Sequence, residues 1–139
     1  MKSMDHKNLC KLYSFEEDDI NFMMLMEYCD GGDLLNVQAR QPGSVFSLQE
    51  AIKVLKEVIW GLEELHRRGY LHRDIKMQNI LIKNENGEKV VKICDFGFAK
   101  KNNMRDTVLG TEQFMSPEVY HAGVESIDFV EQRTNYYGY

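Results

Sequence analysis

Four polar residues near the middle of the sequence have side chains suited to phosphoryl chemistry. Asp74, Lys76, Asn79 and Asp95 flank a predicted hairpin inside an otherwise apolar stretch. Asn79 and Asp95 offer hard oxygen donors for Mg²⁺, which is commonly held by few protein groups and by substrate phosphates. Lys76 would neutralise a transferring phosphoryl group, and Asp74 would orient or deprotonate a hydroxyl. Because Asp, Asn and Lys are also common turn residues, spacing alone leaves a purely structural role open.

The elements that must position these residues are short strands joined by a tight turn. Two β-prone runs, Asn79 to Ile82 and Val90 to Cys94, lie on either side of Asn86-Gly87, a strong hairpin signal. Loops that are held by short rigid strands can position several carboxylates close to one another.

A long amphipathic helix is predicted before this region. Ser47 and Glu50 form a capping box at its start, and Gly69 suits the left-handed position that ends it. Glu57 is among the residues expected to face solvent. The apolar face recurs every 3.6 residues, at Leu48, Ile52, Leu55, Ile59, Leu62 and Leu65.

Two strands and a short helix are predicted further upstream. The run from Asn8 to Phe15 alternates like a short strand, and the apolar run from Phe22 to Tyr28 indicates a buried one. Asp33 is placed to cap a short helix that begins at Leu34.

Composition limits the classes to which the protein can belong. The chain has 139 residues, 43% of them apolar and 28% charged, with a formal net charge of −5. That length suits one compact domain, and the composition argues against global disorder and fibrous repeats. An acidic chain lacks the basic face that nucleic acids require, so no nucleic-acid partner is expected. The longest apolar stretch, Phe22 to Met26, is strand-sized, and no transmembrane segment is predicted.

The cysteines of the sequence give information about the cellular compartment. There are three, widely separated along the chain: Cys10, Cys29 and Cys94. Their odd number and the absence of a CxxC pair argue against a disulfide framework or a zinc site. The N-terminus is charged from its first residues and lacks the apolar centre of a secretory signal. We therefore expect a cytoplasmic protein.

Three motifs in order carry a resemblance to a known family. HRDIKMQN occupies residues 72–79, DFG residues 95–97 and SPE residues 116–118. With these motifs the sequence resembles the eukaryotic protein kinases of the serine/threonine type. MEYCDGGDL, residues 26–34, is similar to the hinge between the two lobes of that family. Within the family, the sequence looks most like the autophagy-initiating, unc-51-like kinases.

The resemblance implies roles for the residues at the catalytic loop. Asp74 resembles the catalytic base that accepts or orients the substrate hydroxyl proton, and Lys76 resembles the phosphate-contacting lysine of serine/threonine-specific members. Asn79 and Asp95 resemble the two ligands of the Mg²⁺ that accompanies ATP.

The resemblance also implies a nucleotide pocket. Met26 stands at the gatekeeper position, and the backbone of Glu27 and Cys29 would contact the adenine edge. Asp33 is similar to the acidic ribose contact, and Leu81 to the apolar floor beneath the adenine. For Met26 and Leu81, plain core packing is an equally valid interpretation.

Three further residues are matched to the family's regulatory positions. Kinases with an Arg-Asp pair such as Arg73-Asp74 often need a phosphate in the activation segment, and Thr107 stands where that phosphothreonine commonly lies. An ordinary solvated loop threonine is the alternative for Thr107. Thr111 resembles the threonine that hydrogen-bonds the catalytic Asp and Lys.

The implied fold class is α+β, a partial protein kinase-like fold. Residues 1–26 would be a remnant of the N-lobe, 27–33 the hinge, and 34–139 an incomplete C-lobe with catalytic loop, β-hairpin and activation segment. The family's glycine-rich loop, ATP-anchoring lysine and later helices have no counterpart in the 139 residues.

The implied function is transfer of a phosphoryl group from Mg-ATP to serine or threonine hydroxyls of proteins, with negligible turnover by the isolated chain. A non-catalytic, kinase-like module that binds nucleotide or a regulatory protein partner is the alternative. Against that alternative, Asp74, Asn79 and Asp95 are all intact. A small-molecule phosphotransferase is disfavoured by the DFG and SPE motifs.

Overall fold

The computed structural model describes residues 4–18, 20–101, 111–117 and 120. Helices and strands are mixed along the chain, as the α+β prediction requires. Their bounds are β1 Leu12–Glu17, β2 Phe22–Met26, β3 Gly32–Asp33, α1 Leu34–Ala39, α2 Leu48–Arg67, β4 Tyr70–Leu71, β5 Ile80–Glu85, β6 Glu88–Ile93 and β7 Lys100–Lys101. Among these residues, no helix combines the length and the apolar character needed to cross a bilayer.

The strands form three small antiparallel sheets, of which β3-β5-β6 carries the core. The β5-β6 hairpin pairs Ile80 with Ile93 at its open end. At its closed end Asn86 and Gly87 have φ values of 52° and 82°, as a two-residue turn with two positive φ angles demands. The predicted hairpin is confirmed. β1 pairs with β2, and β4 with β7.

The long helix is also confirmed. The Ser47 hydroxyl accepts from the Glu50 amide and the Glu50 carboxylate accepts from the Ser47 amide, which completes the capping box. Beyond the end of the helix Gly69 has a φ of 76°, in the left-handed region.

The face that α2 buries differs in part from the predicted one. The C-terminal part of the predicted stripe is confirmed, because Leu65 is buried and Leu62 packs against the core. Val58 and Gly61 are buried as well, whereas Leu48 and Leu55 of the stripe are 77% and 60% exposed. Glu57, predicted to face solvent, is buried because its Oε2 accepts from the Val91 amide at 2.7 Å. This bond to β6 turns Glu57 toward the sheet.

The upstream strands differ from prediction in extent and burial. β1 begins at Leu12 rather than Asn8, because Leu9 is buried and forms a parallel bridge with Ile93 instead. β2 is present but exposed rather than buried, since a two-stranded sheet has neither face covered by another described element. α1 begins at Leu34 with Asp33 as its cap, as predicted.

Gly61 permits the close approach of α2 to the sheet. A Cβ at this position would lie 2.8 Å from the Asn8 carbonyl oxygen and 2.9 Å from Cδ1 of Ile93. We expect Gly61→Ala to lower the free energy of unfolding by about 1–3 kcal/mol through overpacking, although alanine is the better helix former. Urea denaturation measures the change, with the exposed helical Gln49→Ala as control. Unchanged or increased stability would contradict this packing.

Candidate functional site

The loop between β4 and β5 is fixed to the end of β6 by His72. Its Nε2 donates to the Cys94 carbonyl at 2.9 Å, and its Nδ1 accepts from the Asp74 amide at 3.3 Å. These partners define the neutral tautomer with the proton on Nε2. Burial lowers the pKa of His72, which favours the neutral ring. The edge of the ring faces Phe96, with centroids 5.5 Å apart.

Asp74 lies at the centre of the site, with only 2% of its surface exposed. Its Oδ2 is 2.8 Å from Lys76 Nζ and accepts from Asn79 Nδ2 at 2.9 Å. Its Oδ1 accepts from the amide of Thr111 at 2.9 Å and from the hydroxyl at 2.6 Å. The Lys76 ammonium also donates to the Thr111 hydroxyl at 2.7 Å. Both carboxylate oxygens are therefore held in one orientation.

These contacts determine the charge of Asp74. Burial by itself would raise the pKa of the carboxyl group, but the hydrogen bonds from Lys76 and Thr111 outweigh it and lower the pKa to about 2. The group is a carboxylate at neutral pH. It is therefore a strong hydrogen-bond acceptor and a weak proton acceptor.

Asn79 and Asp95 stand at the open end of the β5-β6 hairpin. The Cys94 amide donates to the Asn79 carbonyl at 2.9 Å, which places Asp95 next to the loop that holds Asn79. Asn79 uses Nδ2 to bond Asp74, so Oδ1 is the atom with which it would contact a metal. Asp95 is exposed, and the charges of Asp74 and Asp95 both act on His72.

An amide oxygen and an exposed carboxylate are chemically suitable donors for Mg²⁺ with substrate phosphates as the other ligands. Within the described part of the chain, no three carboxylate, thiol or imidazole groups converge on a metal site.

The backbone is constrained at two positions of the site. Arg73 and Asp95 have φ values of 68° and 58°, in the left-handed region that non-glycine residues rarely adopt. Such conformations cost on the order of 1–3 kcal/mol and persist only where surrounding contacts hold them. Arg73 is half-buried and precedes the clamped Asp74, while the Asp95 carboxylate accepts from the Gly97 amide at 3.2 Å.

The residues predicted for the nucleotide pocket lie in two places: at and just after the end of β2, and in the paired strands β3 and β5. Met26 ends β2 and is half-buried. Glu27 donates its amide to the Lys11 carbonyl at 2.8 Å, and Cys29 follows it, also half-buried. Asp33 accepts from the Asn36 amide as the cap of α1, and its Cα pairs across the sheet with half-buried Leu81.

Of the regulatory predictions, Thr107 lies outside the described residues, as does Glu118 of the SPE motif.

Sequence reasoning missed a buried ion cluster behind the predicted hinge. Glu27 Oε1 pairs with Lys83 Nζ at 2.6 Å and Lys92 Nζ at 2.9 Å, and its Oε2 accepts from the Lys11 amide at 3.1 Å. Burial raises the pKa of Glu27, but these partners outweigh it and lower the pKa. The only signal in the sequence is a lysine between apolar neighbours of the predicted strand, Val91 and Ile93.

Residues 1–129 match the family described as protein kinase domain. Over 122 residues the chain is 38% identical to calcium-dependent protein kinase 5 of Plasmodium falciparum, covering 86% of this chain and 21% of that protein. It is 37% identical over 123 residues to the human serine/threonine-protein kinase Nek5, with coverages of 86% and 17%. For the human serine/threonine-protein kinase ULK1 the identity is 37% over 130 residues, with coverages of 86% and 12%.

These similarities define a family rather than a group within it, because the identities to three differently named kinases are nearly equal. The matched segment spans about one fifth or less of each of these three relatives.

Removing the buried lysine of the ion cluster should destabilise the fold. We expect Lys92→Met to lower the free energy of unfolding by about 2–3 kcal/mol, because Glu27 stays buried with Lys83 as its remaining cation. Lys11→Met is the matched control, since its pair with Asp5 is exposed to solvent and contributes little to stability. Urea denaturation measures the free energy of unfolding of both variants. If Lys92→Met and Lys11→Met lower it by the same amount, the buried pair of Glu27 and Lys92 has no special role in stability.

The depressed pKa of Asp74 predicts a pH dependence of stability. Since the folded pKa is about 2 against a usual value of 3.8, the carboxylate stabilises the fold above about pH 4, and this contribution is lost as the pH falls toward 2. Asp74→Asn should therefore lose less stability than the wild type between about pH 5 and pH 3. Urea denaturation at each pH measures the free energy of unfolding, and Gln49→Ala, which removes no titratable group from an exposed helical position, should show the same pH dependence as the wild type.

Proposed function

The chain belongs to the protein kinase domain family, and on that basis we propose that its site serves ATP-dependent phosphoryl transfer to serine and threonine hydroxyls of proteins. One observation carries this proposal: a buried carboxylate, Asp74, is held by the side chains of Lys76, Asn79 and Thr111. A site that positions a hydroxyl needs such a fixed acceptor. Relatives named as serine/threonine-protein kinases support the hydroxyl class.

The proposed role of Asp74 follows from its charge and its rigidity. With a pKa of about 2 it accepts a hydrogen bond from the substrate hydroxyl and orients the oxygen, and it takes the proton only late in the transfer. Lys76, 2.8 Å from Asp74 Oδ2, supplies positive charge where the transferring group gains negative charge. Thr111 positions both side chains through one hydroxyl.

The cofactors proposed are ATP and Mg²⁺, with Asn79 and Asp95 as the protein ligands of the metal. When bound, the metal neutralises charge on the phosphates. The adenine would contact the backbone of Glu27 and Cys29, between the apolar side chains of Met26 and Leu81. Asp33 would contact the ribose through its carboxylate, which also accepts from the Asn36 amide as the cap of α1.

Regulation and location are parts of the same proposal. A phosphate on Thr107 would pair with Arg73 and order the activation segment. The three free cysteines support a reducing, cytoplasmic location. Because the chain spans about one fifth or less of the named relatives, protein substrates and a regulatory partner are proposed for the longer protein that contains it.

The proposal is tested by the activity of the longest natural open reading frame that contains this chain. We expect Mg²⁺-dependent phosphorylation of serine/threonine peptides, and a loss of at least about 100-fold in kcat for Asp74→Asn. Asp18→Asn, in an exposed turn between β1 and β2, is the control and should keep full activity. Residues 1–139 alone should show negligible turnover, because the family's phosphate-binding loop and lysine have no counterpart in them.

Phosphorylation by the longer protein that survives Asp74→Asn would contradict the assigned role of this carboxylate. No phosphorylation by that protein, with nucleotide bound, would favour the non-catalytic module instead.

A further inference from the structure

Glu27, the first residue of the predicted hinge, is held through both its backbone and its side chain. Its amide donates to the Lys11 carbonyl at 2.8 Å, and its Oε2 accepts from the Lys11 amide at 3.1 Å. Its Oε1 lies 2.6 Å from Lys83 Nζ and 2.9 Å from Lys92 Nζ. One residue is thus attached to the segment before β1 and to both strands of the β5-β6 hairpin.

The carbonyl of Glu27 keeps acceptor capacity for a ligand. It accepts from Cys10 Sγ at 3.4 Å, and a thiol is a weak donor. Because a carbonyl oxygen has two lone pairs, one of them remains for a stronger donor. In the proposed function that donor belongs to the adenine edge.

The segment that follows is tied to the same hairpin. The Asp30 carboxylate accepts from the Asn84 amide at 2.9 Å and from Asn84 Nδ2 at 3.1 Å. The Gly31 amide donates to the Ile82 carbonyl at 2.8 Å. Only two residues separate these contacts from Glu27, so the hinge backbone has an attachment to the hairpin at each end.

We propose that Lys83 and Lys92 are positioning residues for the nucleobase. Through the Glu27 carboxylate they hold the Glu27 carbonyl where it accepts from the exocyclic amino group of a 6-aminopurine. This role rests on the proposed function, in which adenine contacts the hinge backbone.

Burial makes the two lysines effective anchors. The side chains of Glu27 and Lys92 are each 7% exposed, and that of Lys83 is 27% exposed. Salt screens such pairs much less than pairs at the surface. Apolar residues of similar volume often give equal or greater stability than a buried ion cluster. Stability alone therefore does not account for two lysines on this carboxylate, whereas a fixed hinge carbonyl does.

A fixed carbonyl discriminates between purines by the group at position 6. The amino group of adenine donates to it, whereas the oxygen of hypoxanthine opposes it with a second acceptor. A carbonyl that is free to move loses the bond to adenine, so the preference between the two bases becomes smaller. A purely structural loss of stability leaves the preference of the folded protein unchanged.

Binding of Mg-ADP and of Mg-IDP, the inosine analogue, to the longer protein that contains this chain tests the role of the lysines. By titration calorimetry we expect the wild type to bind Mg-ADP at least about tenfold more tightly. In Lys83→Met and in Lys92→Met, Mg-ADP should bind about fivefold more weakly, the scale of one hydrogen bond, and Mg-IDP should be unchanged. Lys89→Met, at an exposed lysine of β6, is the matched control and should keep the wild-type preference.

The double variant Glu27→Met/Lys92→Met separates positioning from stability. It leaves no ion of this cluster without a partner, because Lys83 keeps Glu85 at 2.6 Å. We expect a higher urea midpoint than for Lys92→Met, with the same reduced preference for Mg-ADP. If Lys92→Met does not fold, Lys83→Met and the double variant decide the outcome.

A wild-type preference for Mg-ADP that survives in these variants would overturn the role of the lysines. Equal binding of Mg-ADP and Mg-IDP by the wild type would also overturn it, because the Glu27 carbonyl then contacts no amino group. Both results leave the proposed function standing. Binding of neither nucleotide by the wild type contradicts the proposed function and, with it, the role of the lysines.

Discussion

A buried negative charge organises this structure. A carboxylate removed from water is costly unless donors surround it, and Asp74 meets this demand with an ammonium, an amide, a hydroxyl and a backbone N–H. The donors come from the loop after β4 and from Thr111, 37 residues away in sequence. Satisfying one charge therefore brings distant segments together, and the same contacts leave the carboxylate with a single orientation.

The same principle recurs behind the hinge. Glu27 is buried with two lysines of the β5-β6 hairpin, so the segment that leaves β2 is attached electrostatically to the sheet that carries Asn79 and Asp95. The predicted adenine contacts and the predicted metal ligands are then parts of one hydrogen-bonded unit. Neither cluster is a surface ion pair of the kind that salt screens effectively.

Local signals in the sequence predicted local structure well. Asn86-Gly87 and the capping box of Ser47 act within a few residues, and both appear where they were predicted. The periodicity of α2 predicted the helix and only part of its buried face, because apolar spacing says nothing about a hydrogen bond such as that from Val91 to Glu57. Motif resemblance predicted a set of site residues, but it did not predict the ion pairs of Glu27, whose partners lie 56 and 65 positions away, beyond any local pattern.

Glu57 also joins more than two elements. Its Oε2 accepts from the Val91 amide and from Nδ2 of Asn8, and Asn8 in turn bonds β6 through its own carbonyl, which accepts from the Ile93 amide at 2.9 Å. One acidic side chain thereby joins α2, β6 and the segment before β1. Because β6 ends at Ile93, two residues before Asp95, the packing of α2 also helps to place the end of the hairpin at which the proposed metal ligands lie.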